Sequence, residues 1–130
     1  MKINLVAVAA IGLATIVNAS AALAGAKDYE FQPVAIEVRS GTASELSIRV
    51  VHKASGKLVE GAVLFRTRLD MSPDNMGDMT AKHAAIPSSE PGVYRFSADL
   101  MMAGGWALKL QAKVSGESET VAGTVIFRAK

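Results

Sequence analysis

"PGVYRFSADLMMAGGWALKLQAKV", residues 91–114, sets the period that the rest of the chain repeats. Tyr94, Phe96 and Ala98 alternate with Arg95, Ser97 and Asp99. After a Met-Met-Ala-Gly-Gly break, Trp106, Leu108, Leu110 and Ala112 alternate with Ala107, Lys109, Gln111 and Lys113. Successive side chains leave a strand on opposite sides, so a period of two marks a strand with one buried face. A surface helix would instead space its apolar residues three to four positions apart.

The same alternation extends in both directions. Upstream, Val34, Ile36 and Val38 alternate with Ala35, Glu37 and Arg39, and Leu46, Ile48 and Val50 with Ser47, Arg49 and Val51. Val63, Phe65 and Leu69 form the predicted inner face of a third strand, with Leu64, Arg66, Arg68 and Asp70 outward. "KHAAIP" (82–87) reads as a short edge strand stopped by Pro87, and Val121, Val125 and Phe127 line a last strand. "SGTASE" (40–45), "KASGKLVEG" (53–61, bending at Gly56 and Gly61), "SSEPG" (88–92) and "SGESE" (115–119) supply the turns between them. About seven short strands at even spacing predict an all-β fold, an immunoglobulin-like antiparallel sandwich. Neither repeats nor a second domain are visible.

The N-terminus reads differently. Lys2 is followed by residues 3–17, apolar except for Asn4, Gly12 and Thr15, then by the small-residue sites Ala22-Leu23-Ala24 and Ala24-Gly25-Ala26. This is the layout of a signal peptide over residues 1–26, cleaved before Gly25 or Lys27, with an exported sandwich domain in 27–130. A retained segment would instead anchor the protein to a membrane. However, the run turns Ala-rich and polar after Val17, short of the roughly 20 apolar residues a spanning helix needs. The whole chain has 14 basic and 12 acidic residues, net +2; without Lys2 it has 13 against 12, net +1. The sequence contains no Lys/Arg cluster, which argues against nucleic acid as a partner. It contains no cysteine either, so an exported domain relies on its core rather than on disulfides, and the soft metal ligands left to it are Met and His.

The Pro-Gly-x-Tyr strand, the apolar Met-Ala-Gly turn and the Trp-x-Leu that follows resemble the signature of the YtkA-like/FixH-like family across roughly residues 33–128. The resemblance implies a small β-sandwich exposed to the periplasm or cell exterior, with a periplasmic location expected here, in a family often found near copper handling, heavy-metal efflux or cytochrome oxidase assembly.

"DMSPDNMGDM" (70–79) holds Met71, Met76 and Met79 in a stretch of loop composition, with His83 just beyond it. If the strands alternate up and down, the connections 40–45, 71–82 and 100–105 share one end. That brings Met101 and Met102 to the same methionine-rich pole, with Trp106 beside them as a cation–π neighbour. Thioethers favour Cu(I) or Ag(I) over hard cations. The predicted metal ligands are therefore Met71, Met76, Met79, His83, Met101 and Met102.

Several plainer expectations stand beside this one. Met71 has the parity of Leu69 and Met102 that of Leu100, so both also fit core positions. Met76 and Met79 also fit packing beneath Trp106, and Trp106 itself fits the core against Tyr94 and Phe96. The aspartates Asp70, Asp74, Asp78 and Asp99 offer oxygen donors for calcium, but without the EF-hand spacing. His52 lies toward the opposite end.

No Gly-x-Ser-x-Gly elbow, His-Glu-x-x-His pair or phosphate-binding glycine loop is present, so the expectation is not an enzyme. Two function classes follow. One is an accessory protein that buffers or delivers Cu(I) or Ag(I) for a metal-efflux adaptor or a copper-assembly protein. The other is a metal-free interaction module that docks on a transporter or adaptor.

Overall fold

The computed structural model describes residues 25–130. The predicted signal segment therefore falls outside the described residues except for its last two positions, which enter a 3-10 turn at Gly25–Asp28. Among the described residues, no helix is long and apolar enough to cross a membrane.

Ten strands follow in chain order: β1 (Tyr29–Pro33), β2 (Glu37–Val38), β3 (Gly41–His52), β4 (Lys57–Leu58), β5 (Val63–Met71), β6 (Met76–Thr80), β7 (His83–Ile86), β8 (Val93–Leu100), β9 (Gly104–Lys113) and β10 (Val121–Ala129). One sheet runs β1-β3-β8-β7, with β4 attached to β3; the other runs β2-β10-β9-β5-β6. Every pairing is antiparallel except that of β2 with β10. The two sheets close on one core, as expected of an immunoglobulin-like sandwich.

The strands with the clearest alternation build that core. Leu46 and Ile48 of β3 and Phe96 and Leu100 of β8 pack against Leu69 of β5, Leu108 of β9 and Val125 and Phe127 of β10. Fully burying each such side chain is worth about 1.5–3 kcal/mol. Trp106 joins this cluster, as its parity predicted.

Three expectations need correction. The first strand does not run through Val34–Val38 as one ladder, and Val34 and Ile36 are exposed. Instead β1 lies on β3, and the chain leaves that sheet after Val34 N donates to Ser47 O. It joins the other sheet where Arg128 N donates to Ile36 O. A segment that changes sheets has no single buried face to alternate toward.

The turn predicted at 40–45 is shorter than expected, because β3 already starts at Gly41. A bulge with Ala43 at φ +54 takes up the extra residues, and Ala43 N is satisfied by Asp99 Oδ1 at 3.0 Å.

In β5 the predicted faces are reversed at the start: Val63 is exposed and Leu64 packs on the core. The register shifts between Phe65 and Arg68, where Arg66 adopts φ +51. One extra residue in a strand flips every side chain beyond it, which is how Leu69 regains the inner face.

The N-terminal strand is tied down by Tyr29, whose hydroxyl donates to Glu117 Oε2 at 2.7 Å. That bond to a carboxylate, together with partial burial, pushes the phenol up to about 12. A raised phenol stabilises the fold fully below its ordinary value near pH 10, and the contribution fades as pH rises from there toward 12. Alkaline titration of wild type and Tyr29→Phe should give stabilities that converge over that window. A gap that stays constant across that window would overturn the raised phenol.

Candidate metal centre

The pole that carries the methionines is organised by aspartates. Asp70 ends the regular part of β5 on the outward parity, yet it is only 1% exposed. Arg68 Nε reaches its Oδ2 at 2.8 Å and Lys109 Nζ reaches the same oxygen at 3.1 Å, while Ser72 N donates to Oδ1 at 3.0 Å. Burial by itself would raise this carboxyl. The hydrogen bonds from Ser72 and the two cations outweigh it and hold Asp70 well below the usual carboxylate range.

Ser72 then opens a 3-10 turn, Ser72–Asp74, with Pro73 at its start and Asn75 in the left-handed conformation at its end. The turn lies on the start of β9, where Asp74 Oδ2 accepts Gly105 N at 3.0 Å. This seat needs glycine. Gly104 has φ +137, and a Cβ there would meet Asp74 Oδ2 and come within 2.8 Å of Met71 Cε; a Cβ on Gly105 would lie 2.9 Å from Pro73 Cβ. On the far side of the pole, Gly41 pairs with Leu100, and Asp99 holds the β3 bulge. Three of the four aspartates that looked like calcium donors are thus already committed to the pole's own backbone and cations. Among the described residues, no group of three or more His, Cys, Asp or Glu side chains gathers to hold a metal.

The β5–β6 and β8–β9 connections therefore do meet at one end of the sandwich. Met76 pairs directly with Met71 across β5 and β6, and Met79 follows in the irregular stretch before Thr80. Met76, Met79, Met101 and Met102 are all exposed, Met101 most of all at 69%. Trp106 Nε1 donates to Met102 O at 3.0 Å and so anchors the Met101–Met102 connection from below.

The other named residues sit elsewhere. Met71 is 0% exposed and belongs to the core cluster. His83 starts β7 on the opposite sheet, with Nδ1 2.9 Å from Ala81 O and Nε2 2.8 Å from Thr67 Oγ1. With one nitrogen donating to the carbonyl and the other accepting from the hydroxyl, the neutral ring has no lone pair left for an ion. The Trp106 indole is buried and belongs to the core cluster. Sequence reasoning missed Asp70 and Asp74 as the residues that assemble the pole. The signal was Asp74 next to Pro73 in a stretch of loop composition, where it also fits an oxygen donor for calcium.

Fold and pole together define a class: a single immunoglobulin-like sandwich whose two Met-bearing connections share one end. The chain belongs to the YtkA-like family, whose model matches residues 23–111. No protein of curated function matches it.

Among solved structures, the Lin-41 filamin domain is similar at 17% identity and TM-score 0.44, covering 81% of this chain and 94% of that one. The ZirS C-terminal domain is similar at 10% identity and TM-score 0.45, covering 80% of this chain and 66% of that one. A conjugative transposon lipoprotein from Bacteroides eggerthii is similar at 16% identity and TM-score 0.33, covering 76% and 93%.

Proposed function

We propose that this chain is an exported accessory protein that takes up Cu(I) or Ag(I) as cargo on exposed thioethers and passes the ion to an efflux adaptor or assembly protein. The observation that carries this reading is the docking of two distant connections through Asp74 and Gly105, which leaves Met76, Met79, Met101 and Met102 exposed at one pole. Uncharged thioethers suit a soft monovalent ion and do not compete with protons for it. A shallow, exposed donor set favours release to a partner over storage.

The donor set is narrower than the six ligands expected from sequence. Met71 fills core volume, and His83 is bonded through both nitrogens.

Competition of the reduced protein with a chromogenic Cu(I) chelator tests this. Met76→Leu with Met79→Leu, and separately Met101→Leu with Met102→Leu, should each weaken Cu(I) binding at least tenfold. Met71→Leu and His83→Ala should leave affinity near wild type. Unchanged affinity in both double variants overturns the reading.

A further inference from the structure

Away from the Met pole, the sandwich is open along one side. There β7 is the outer strand of one sheet, and β6 covers β5 of the other sheet only at Asp70 and Met71. From Val63 to Arg68, β5 has no strand beside its outer edge among the described residues. The His83–Thr67 hydrogen bond joins the two sheets at the top of this side.

Below it lies a groove of about 530 Å³, with Leu64, Ile86 and Phe96 on its apolar walls. The groove is rigidly framed. The Tyr94 hydroxyl donates to Val59 O at 2.7 Å and accepts Ala62 N at 2.9 Å, which pins the turn that forms one wall.

Two further features say what fits there. Asp99 N donates to Lys82 O, so the alternation of an antiparallel ladder turns the backbone groups of His83 and Ala85 away from β8 and toward the open side. Exposed edges are usually guarded by charges, bulges or proline; here Lys82 and Pro87 flank the strand, and Ala84 and Ala85 leave its middle bare. The rim is acidic. Glu60 and Glu90 line the groove, and neither has an ion-pair partner among the described residues. Arg95 also lines it, but its guanidinium is committed to both Glu45 carboxylate oxygens and to Pro87 O.

We propose that this groove binds an extended, basic peptide segment of a partner protein, which adds as a strand to β7, seats apolar side chains against Leu64, Ile86 and Phe96, and places a Lys or Arg beside Glu60 and Glu90. Strand addition draws affinity from main-chain bonds and specificity from alternate side chains. A second copy of this chain fits less well: a four-residue edge is only about 13 Å long, too short for pairing along it to bury the roughly 1,200 Å² of a stable interface. The groove involves none of the proposed metal donors, so it stands or falls independently of them.

The probe is an acetylated, amidated peptide of alternating Val and Thr with a lysine at each end, titrated into the ¹⁵N-labelled protein and compared with its glutamate-ended twin. Amide shifts should saturate and concentrate at His83–Ile86 and along the groove, with the lysine peptide at least tenfold tighter. Ala85→Pro removes an outward N–H without touching the β8 ladder and should cost at least tenfold. Glu60→Lys with Glu90→Lys should reverse the preference between the two peptides, which keeps the test valid if the proline variant misfolds. Absence of saturable binding, shifts centred elsewhere, or unchanged peptide preference in the double-lysine variant overturns the proposal. So does a concentration-dependent dimer through β7 seen by light scattering.

Discussion

Asp70→Ala should destabilise the domain by about 3 kcal/mol and lower its melting temperature by about 15 °C. Removing one partner of a fully buried ion pair costs roughly 3–5 kcal/mol. Here the surviving cations are not buried, since Arg68 and Lys109 are 53% and 44% exposed and can turn into water. That discount puts the ion-pair loss below that range, at about 2 kcal/mol. The orphaned Ser72 amide then adds the cost of a lost cap, about 1 kcal/mol. Asp70→Asn keeps the shape and one acceptor oxygen and should fall between the two proteins.

The pH dependence has a definite sign. The folded carboxyl is held below its ordinary value, so its contribution is complete above about pH 4 and is lost as pH falls through and below that point. Wild type should therefore lose stability on acidification faster than Asp70→Asn, and the two curves should approach each other at low pH. Thermal melts across that range decide it. A shift under 5 °C for Asp70→Ala at neutral pH would mean that the carboxylate is decoration on an already stable turn.

Asp70 also marks where the sequence could and could not be read. Alternation identified β3, β8, β9 and β10, because each keeps one face on the core over most of its length, despite the bulge at the start of β3 and the buried Ala107 on the outward parity of β9. It failed in β5, where Arg66 takes a positive φ that nothing in its side chain announces. Beyond that bulge, parity still placed Asp70 on the outer face, and it is there. What buries it is a roof made by Arg68 from its own strand and Lys109 from the neighbouring one, and a roof spanning 39 residues of sequence is not a local pattern.

The same limit applies to the candidate site. The meeting of the two Met connections followed from strand order alone. The parity of Met71 with Leu69 already offered its core position. His83 was misjudged because its partner, Thr67, sits on the opposite sheet, sixteen residues upstream.

Gly104→Ala tests how the pole is held together. At φ +137 an L side chain is strained by about 1–3 kcal/mol. The added methyl would also meet the Asp74 carboxylate and the Met71 methyl, both ends of flexible side chains, and displacing them adds about 1 kcal/mol. We expect a combined loss of about 3 kcal/mol. Gly105→Ala provides an internal standard. Its backbone is not in the left-handed region, its nearest neighbour is the Pro73 ring, and it should cost less.

The informative measurement pairs stability with Cu(I) affinity, taken at a temperature where both variants remain folded. To relieve the clash the Asp74 carboxylate must turn aside, which releases Gly105 N and frees the Ser72–Asp74 turn to lift from β9. Met76 and Met79 then move away from Met101 and Met102 with no thioether removed. A tenfold or greater loss of affinity alongside the loss of stability would mean that the ion needs both connections at once. If stability falls and affinity holds, one connection alone binds the ion, and the docking of the two loops serves the fold rather than the metal. If stability does not fall, the seat of Asp74 on Gly105 is not what joins the two ends.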